Sequence, residues 1–477
     1  MFNLSEQIFR AIGSPVRVHF LGICGTAMAG VAAELHRRGV EVTGSDDAVY
    51  PPMSTFLESR GVGVAAGYRE ENLTPEPDLL VVGNAISRGN PELEAALDRG
   101  LSYCSLPELL RWAFLPGKTS LVVTGTHGKT TTAALCAWAL ETAGRSPSWL
   151  VGGVPVGLPG GFHLGEGKTF VLEGDEYDTA FFDKRSKFLH YLPRVLVLNN
   201  VEFDHADIFD DLEGVRRSFR HLLRTVPRSG RVVANWDDPE VRALAAQAPC
   251  PVVRYSRRDP AVEWHGDAPS GGGRLKVRGP GGRSLELAHD LVGTHQPSNL
   301  LAAAAALAEL GLSDREVEKA VASFRGVKRR AELRGEVAGV RVYDDFAHHP
   351  TAIRGILEGF RERYPQARLW AVAEPRSNTM RRRVFQQALA EAFGAADRVC
   401  LREVPDAAKV PEAERLDVGR LAAAITAGGV PAQAFPDAAA IVEHLAPLLA
   451  PGDVVAVLSN GGFEGIHDRL LHALARR

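Results

Sequence analysis

The sequence predicts an α/β protein with three domains, each built on a largely parallel β-sheet. Short apolar strands alternate with helical stretches in three successive blocks, which begin near residues 15, 119 and 328. Such alternation is typical of parallel sheets covered by helices. A chain of 477 residues is also long for one hydrophobic core and suggests two or three domains. We therefore expect domains at 1–116, 117–327 and 328–477.

The first block is predicted to be a Rossmann-like unit. Its strands and closing helix are VRVHFLGI (16–23), VEVTGSD (40–46), DLLVVGNAI (78–86) and SLPELLRWAF (105–114). The glycines of the turn GICGTAMAG (22–30) lack the G-x-G-x-x-G spacing of a dinucleotide fingerprint. Asp46 closes the second strand, where an acid commonly binds a ribose hydroxyl. These residues leave open an NAD-dependent dehydrogenase domain or a site for a sugar nucleotide or another pyrophosphate.

The second block opens with a short phosphate loop, TGTHGKTTTA (124–133). Gly125 and Gly128 have two residues between them, whereas the usual phosphate loop has four. The strand before and the helix after direct backbone N–H groups and the positive helix end towards one point, which suits an anion. Lys129 can reach the β- and γ-phosphates, and the Thr130 hydroxyl can hold Mg²⁺. The plainer alternative is a tight turn with an incidental lysine.

Acidic residues follow the next two strands, TFVLEGDE (169–176) and RVLVLNNVEFDH (194–205). Glu173 and Asp175 are two residues apart and are predicted to face one way, with Glu176 facing the other. The carboxyl ends of parallel strands meet at one edge of a sheet, where the phosphate loop also lies. We therefore expect Glu173 and His205 to bind Mg²⁺, although such acids can also cap helices or stay solvated.

The rest of the second block contains a strand at 231–241, a hairpin within 266–284 and a helix at 298–311. The third block is predicted to be another Rossmann-like unit. Its strands are VRVYDDF, ARLWAVAEP, DRVCLRE and DVVAVLSNGG, with helices around 350–363, 381–394, 415–427 and 437–448.

Two loops of the third block predict a polar pocket. YDDFAHHPTAI (343–353) is acidic and carries two histidines, and AEPRSNTMRR (373–382) is basic. We expect His348 to be functional, whereas His349 can simply cap the following helix or pack. The run VKRRAELRGE (327–336) is either a solvated linker or a source of arginines for phosphate.

Composition narrows the class of protein. The 55 basic and 58 acidic residues nearly balance, so the broad positive field of a nucleic-acid binder is not expected. No apolar run reaches the ~20 residues of a membrane span. The N-terminal residues lack a signal peptide's pattern, and five scattered cysteines without a C-x-x-C pair fit reduced thiols. A soluble cytoplasmic α/β protein is expected, with its oligomeric state left open.

Taken together, GTHGKTT, EGDEYD, NNVEFDHAD and DDFAHHPT resemble the Mur ligase family across essentially the whole chain. The resemblance implies an ATP- and Mg²⁺-dependent enzyme of bacterial cell-wall synthesis that forms amide bonds. Other stretches, among them GSDDAVYPPMST, GNAISRGNPE and EPRSNTM, look like the branch that joins a recycled murein tripeptide to UDP-N-acetylmuramate. The alternatives are the branch that adds L-alanine in primary synthesis and, from another class, a P-loop regulatory ATPase.

The resemblance also implies roles for individual residues. It places UDP at Gly22, Gly25, Thr26, Asp46 and Asn84, and ATP at Gly125, Thr126, His127, Gly128, Lys129, Thr130, Thr131, His295, Asn299, Arg330 and Asp345. It implies catalytic roles for Lys129, Glu173, His205 and His348, with Thr130, Glu173 and His205 at the metal. Peptide contacts are expected from Arg376, Ser377 and Asn378. From their charge alone, Lys184, Arg185 and Lys187 of FDKRSKF (182–188) either bind the extra carboxylates of a tripeptide or form a solvated basic loop.

Two further expectations follow from the resemblance. The third domain is expected to close on ATP and to bind the peptide. Several relatives carry a carbamylated lysine near the metals, but this chain has no lysine between Lys187 and Lys276. A carbamylated lysine is therefore not expected at this position, as in the L-alanine branch.

Overall fold

The computed structural model describes residues 16–50, 53–267, 272–405 and 410–477. The chain divides into two compact units. The first contains the described residues up to Val201, with 213–254 and 305–316; the second contains 202–212, 255–304 and 317–477. Among the described helices, none is both long enough and apolar enough to cross a lipid bilayer.

A five-stranded parallel sheet begins the first unit, in the order β3-β2-β1-β4-β5. The strands are β1 (Arg17–Leu21), β2 (Glu41–Asp46), β3 (Gly63–Ala66), β4 (Leu79–Val82) and β5 (Tyr103–Ser105), and the helices are α1 (Thr26–Arg37), α2 (Met53–Ser59), α3 (Pro91–Asp98) and α4 (Leu106–Ala113). The predicted parallel sheet is confirmed. The predicted strand at 78–86 is shorter, because the chain turns away after Val82.

The first unit also contains most of the central sheet, in the order β14-β13-β12-β6-β9-β7-β8. These strands are β6 (Thr119–Thr124), β7 (Ser148–Leu150), β8 (Phe162–His163), β9 (Thr169–Glu173), β12 (Val195–Leu198), β13 (Arg231–Asn235) and β14 (Val252–Ser256). A separate antiparallel hairpin is formed by β10 (Asp178–Ala180) and β11 (Asp183–Ser186). The helices are α5 (Lys129–Thr142), α6 (Leu212–Leu223) and α7 (Pro239–Ala245).

An antiparallel group lies in the second unit, formed by β15 (Trp264–Asp267), β16 (Gly273–Arg278) and β17 (Ser284–His289). The predicted hairpin is therefore part of a three-stranded meander, with 268–271 outside the described residues. Two helices follow along the chain, α8 (Gln296–Glu309) and α9 (Asp314–Ser323).

The second unit ends in a six-stranded sheet of order β18-β19-β23-β20-β21-β22. Its strands are β18 (Glu332–Val337), β19 (Val340–Asp345), β20 (Leu369–Ala373), β21 (Arg398–Arg402), β22 (Ala432–Phe435) and β23 (Val454–Leu458). Only the edge strand β18 pairs antiparallel within this sheet. The helices are α10 (Pro350–Arg363), α11 (Gln386–Ala392), α12 (Val418–Ala427), α13 (Ala438–Leu445) and α14 (Ile466–Ala475).

Strand β20 shows why this last sheet is covered on both faces. All five of its residues are buried. Alternate side chains point to opposite faces of a strand, so Leu369 and Ala371 join one apolar cluster while Trp370 and Val372 join the other. A strand that is apolar along its whole length is typical of a parallel sheet with helices on both sides.

Candidate active site

The phosphate loop of the first unit follows β6 and leads into α5. Gly125 and Gly128 have φ angles of +129° and +80°, which disfavour any residue with a Cβ atom. A Cβ atom on Gly125 would also lie 2.9 Å from the backbone nitrogen of Asn200. The His127 N–H donates to Oδ1 of Asn200 at 2.7 Å, so the residues after β12 hold the loop in place. The short loop is therefore a defined turn at the carboxyl edge of the sheet.

Lys129 is the first residue of α5, and its ammonium group lies over the loop. Nζ donates to the carbonyl oxygen of Gly125 at 2.7 Å and forms an ion pair with Oε2 of Glu176 at 2.8 Å. Burial lowers the pKa of Lys129, but the carboxylates of Glu176 and Asp175 outweigh it, so the pKa lies above its ordinary value. Lys129 is therefore held in its charged form beside the loop.

Thr130 and Glu173 are brought together as the sequence predicted. The Thr130 hydroxyl donates to Oε1 of Glu173 at 2.7 Å, and the Gly152 N–H donates to Oε2 at 2.5 Å. Glu173 is the last residue of β9. Its carboxylate is thus fixed between α5 and Gly152, two residues after the end of β7, with both oxygens at the carboxyl edge.

The two acids beyond Glu173 have different partners. Strand β9 ends at Glu173, and Glu176 is buried against Lys129. Asp175 instead pairs with Lys187 at 2.7 Å. Burial raises the pKa of Asp175, but Lys187 and Lys129 outweigh it and bring the pKa to about 2.

A cavity of about 400 Å³ lies beside these acids within the first unit. One part of its wall comes from the five-stranded sheet and includes Gly22, Gly25, Thr26, Asp46, Tyr68 and Asn84. Another part comes from the central sheet and includes Gly152, Glu173, Asp175, Lys187 and Tyr191. The cavity therefore brings together all five residues that the sequence assigned to UDP and the predicted metal-binding acid Glu173.

The N-terminal turn is organised by Asp46. Its two carboxylate oxygens accept the N–H groups of Cys24 and Ala48, each at 2.9 Å. Gly22 has a φ angle of +81°, which permits the tight turn. Tyr68 was missed by the sequence analysis, because only the fold brings it to this cavity. Burial and then the charges of Asp46 and Asp47 raise its pKa to about 12.

In the second unit, the loop at 202–212 meets the start of α10. His349 caps this helix, since its Nδ1 accepts the Thr351 N–H at 3.3 Å. The Thr351 hydroxyl donates to Glu202 at 2.7 Å, and Nε2 of His349 lies 3.3 Å from the carbonyl oxygen of Phe203. The prediction that His349 caps or packs is confirmed, and the helix start is tied to the loop.

His348 lies next to this cap with Asp204 and His205. Nδ1 of His348 lies 2.9 Å from the carbonyl oxygen of Phe346, so this nitrogen carries the proton and donates it. Burial lowers the pKa of His348 to about 4, although Asp204 opposes the shift. Burial raises the pKa of Asp204, but His205, His348 and His349 outweigh it and bring the pKa to about 2. The loop thus holds a neutral His348 near an ionised Asp204.

Asp345 has a structural contact that the sequence did not indicate. Its carboxylate accepts the N–H groups of Ala331 at 2.7 Å and Ala347 at 2.8 Å, and burial raises its pKa. Arg330 lies 4.8 Å from the ring centre of Phe346. Asp345 therefore anchors the arginine-rich segment to the end of β19.

The His295 and Asn299 pair lies at the start of α8. The Asn299 amide is buried and donates to Oε1 of Gln296 at 3.1 Å, and Nε2 of His295 lies 3.2 Å from Nε2 of Gln296. Gln296 therefore contacts both residues, which the resemblance assigned to ATP.

The residues expected to contact the peptide have varied surroundings. In the second unit, the Asn378 amide donates to Asp207 at 2.8 Å, Ser377 accepts the Met380 N–H at 3.1 Å, and Arg376 stays half exposed. In the first unit, Lys184 and Arg185 pair with the nearby Asp178 and Asp183. Of the basic residues in this segment, Lys187 is the one that lines the described cavity wall.

The three predicted metal ligands are divided between the units. Thr130 and Glu173 lie together in the first unit, whereas His205 belongs to the loop of the second. His205 has a φ angle of +57°, and its carbonyl oxygen accepts the N–H groups of Ile208 and Phe209. A non-glycine residue in this conformation often marks a functional position.

The fold and the phosphate loop define a nucleotide-binding α/β enzyme. Three family models match in sequence order: "Mur ligase family, catalytic domain" over residues 17–115, "Mur ligase middle domain" over 123–307 and "Mur ligase, glutamate ligase domain" over 329–461. The chain belongs to the Mur ligase family. It is an ATP-dependent ligase that forms amide bonds, as the sequence predicted.

Full-length relatives support this assignment. The chain is 44% identical to the UDP-N-acetylmuramate–L-alanyl-γ-D-glutamyl-meso-2,6-diaminoheptandioate ligase of Escherichia coli, over 97% of this chain and 99% of the relative. It is 34% identical to the UDP-N-acetylmuramate–L-alanine ligase of Rubrobacter xylanophilus, over 96% of this chain and 100% of the relative. The crystal structure of a murein peptide ligase from Psychrobacter arcticus is 37% identical, with a TM-score of 0.73 over 97% of this chain and 99% of that one.

Proposed function

We propose that this protein joins UDP-N-acetylmuramate to L-alanyl-γ-D-glutamyl-meso-diaminopimelate, with ATP, in the recycling of cell-wall peptide. The bond formed is an amide between the lactyl carboxylate of the sugar nucleotide and the amine of the peptide. Both named relatives use UDP-N-acetylmuramate, and the more similar one has the tripeptide in its name. The cytoplasmic location stays a prediction from the sequence.

The observation that carries this proposal is the shared cavity. Gly22 and Asp46 lie on one side of it and Glu173 on the other, within one unit. A sugar nucleotide bound along the N-terminal turn would place its far end towards the acids beside the phosphate loop. A dehydrogenase domain would have no need for Glu173 and its partner Thr130 at this position. The arrangement therefore favours a sugar nucleotide over NAD.

The chemistry explains why ATP is needed. A carboxylate resists attack by an amine, because its charge repels the nucleophile and oxide is a poor leaving group. An oxygen of the lactyl carboxylate attacks the γ-phosphorus of ATP, and ADP leaves. The peptide amine then attacks the acyl carbon, loses a proton and expels inorganic phosphate, which leaves the amide.

Lys129 and the residues around it suit phosphate transfer. A bound triphosphate would compete with Glu176 and the Gly125 carbonyl for the Lys129 ammonium. Lys129 would then neutralise charge on the transferring group, which is an electrostatic task. Thr130 and Glu173 offer the hard oxygen donors that Mg²⁺ prefers and would hold it. The role of His205 at the metal stays a prediction from the sequence. When bound, Mg²⁺ would supply positive charge to the phosphates.

His348 is suited to orient the incoming amine. Its Nδ1 donates to the carbonyl oxygen of Phe346, which leaves the lone pair on Nε2. A neutral imidazole in this orientation can accept a hydrogen bond from the amine N–H and direct the amine lone pair towards the acyl carbon.

The experiment that tests the proposal measures stoichiometry. With UDP-N-acetylmuramate and tripeptide present, ADP and phosphate are expected to appear one for one with the amide product. Lys129→Met is expected to abolish turnover while UDP-N-acetylmuramate still binds. The matched control is Arg217→Gln, at an exposed position on α6.

Two results would contradict the proposal. ATP hydrolysis that needs neither substrate would favour a regulatory ATPase. A preference for L-alanine over tripeptide would favour the primary-synthesis branch.

A further inference from the structure

A second cavity, of about 340 Å³, lies in the first unit at the opposite edge of the central sheet. Its lining combines apolar and basic side chains: Arg111, Trp112, Leu115, Pro116, Lys118, Ser120, Tyr191, Leu192 and Arg194. Ser120 lies near the start of β6 and Arg194 directly precedes β12. At ~3.3 Å per strand residue, Ser120 is about 16 Å from the phosphate loop along β6. This cavity is therefore not part of the nucleotide site.

The cavity is strongly basic. Three cations line it, and none of its described lining residues is acidic. Nε of Arg111 is buried without a hydrogen-bond partner, and its guanidinium lies 4.7 Å over the Trp112 ring. Lys118 donates to the carbonyl oxygens of Gly165 and Gly167, which carry no charge. The described wall itself contains no carboxylate. Burial lowers the pKa of Lys118 and Glu166 opposes the shift, so one carboxylate lies near this lysine.

The backbone at this cavity is strained. Leu192 has a φ angle of +45°, and 40% of its surface is exposed although it is apolar. The Ser120 hydroxyl donates to the Leu192 carbonyl at 2.6 Å and holds this conformation. Strained residues of this kind cluster at binding sites.

Tyr191 connects the two cavities of the first unit. Its side chain is buried and lines both the basic cavity and the cavity that contains Glu173 and Asp175. Burial and then the charges of Asp175 and Glu173 raise the pKa of Tyr191, so its hydroxyl lies near these acids. A ligand in the basic cavity would therefore contact a residue of the substrate cavity.

We propose that the basic cavity is an effector site for a small organic anion with at least two carboxylate or phosphate groups. Arg111 and Arg194 would pair with the charged groups, because guanidinium binds both carboxylate and phosphate in a forked geometry. Trp112 and Leu115 would cover the apolar part of the ligand. Since Tyr191 belongs to both walls, binding there changes the affinity of the substrate cavity.

The test uses ¹⁹F NMR on protein labelled with 5-fluorotryptophan. The chain has six tryptophans, and the signal that disappears in Trp112→Phe is that of Trp112. The full-length protein is titrated with citrate in one arm and pyrophosphate in the other. The Trp112 signal is expected to shift saturably with one or both probes. A double variant that combines Arg111→Gln and Arg194→Gln is expected to bind the probe at least tenfold more weakly. The control variant Arg217→Gln is expected to bind it as the wild type does. Circular dichroism and the thermal midpoint check that each variant is folded.

The coupling is measured by repeating the titration with saturating UDP-N-acetylmuramate. The probe affinity is expected to change at least threefold. This arm rests on the proposed function, whereas the binding arm does not. A Trp112 signal that moves with neither probe, or that moves equally in the double arginine variant, overturns the site. If the probe binds with unchanged affinity while UDP-N-acetylmuramate is shown to be bound, the basic cavity is not an effector site.

Discussion

Gly152 gives a sharp test of how tightly Glu173 must be placed. The Gly152 N–H donates to Oε2 of Glu173, and a Cβ atom added at Gly152 would lie 3.1 and 3.2 Å from the two carboxylate oxygens. Ordinary van der Waals contact begins near 3.4 Å, so Gly152→Ala has to push the carboxylate away by about 0.3 Å. A shift of 1 Å at a catalytic group can cost ~10²-fold, so for a shift of about 0.3 Å we expect kcat to fall about fourfold.

The assay for Gly152→Ala follows kcat as a function of Mg²⁺ concentration. We expect the variant to need more Mg²⁺ for half-maximal rate and to unfold at nearly the wild-type temperature. Gly63→Ala is the matched control, because a Cβ atom at Gly63 meets nothing within 4 Å. The reasoning is refuted if Gly152→Ala keeps the wild-type kcat and Mg²⁺ dependence while Glu173→Gln is inactive. The Glu173 carboxylate would then be needed, but its exact position would not limit the rate.

Three further predictions follow from the structure. His348→Gln is expected to lower kcat about 10²-fold with little change in the KM for ATP, because the group that orients the amine is lost. Steady-state kinetics would show this, and an unchanged kcat would remove His348 from the mechanism. Lys187→Met removes the cation that pairs with Asp175 at the cavity wall. It is expected to raise the KM for UDP-N-acetylmuramate about tenfold, or ~1.4 kcal/mol. An unchanged KM would contradict a role of Lys187 in substrate binding. Glu92 is buried, which raises its pKa, but hydrogen bonds from His19 and other groups outweigh this effect and lower the pKa. The stabilisation that ionised Glu92 gives the fold is therefore present above the ordinary glutamate pKa. It is lost as the pH falls through the lowered value. Glu92→Gln should therefore cost about 3 kcal/mol at pH 7 and much less in acid, as urea unfolding at several pH values would show; an equal cost at every pH would refute the charge-based explanation.

The sequence was most informative where the chain is most apolar. Strands such as β6, β20 and β23 are buried along nearly their whole length, so their runs of apolar residues identify them without knowledge of the fold. Edge strands such as β8 and β18 were missed, because they are only partly buried and carry weaker patterns. The parallel order of the sheets followed from the alternation of strands and helices.

The candidate site shows where local reasoning stops. Thr130 and Glu173 were predicted to meet, because parallel strands end at the same edge. The ion pair of Glu176 with Lys129 could not be predicted, since strand β9 ends at Glu173 and the alternation rule does not apply beyond it. Tyr68 reaches the cavity only through the packing of distant segments, which no short motif encodes. The UDP, ATP, metal and peptide roles of individual residues stay predictions.

The most direct test of the proposed function is a competition between acceptors. Purified protein receives UDP-N-acetylmuramate, ATP and Mg²⁺ with equal concentrations of L-alanine and L-alanyl-γ-D-glutamyl-meso-diaminopimelate, and mass spectrometry identifies the products. We predict that the tripeptide adduct dominates and that ADP forms in equal amount. A product that is mainly UDP-N-acetylmuramoyl-L-alanine, or ADP without either adduct, would contradict the proposed function.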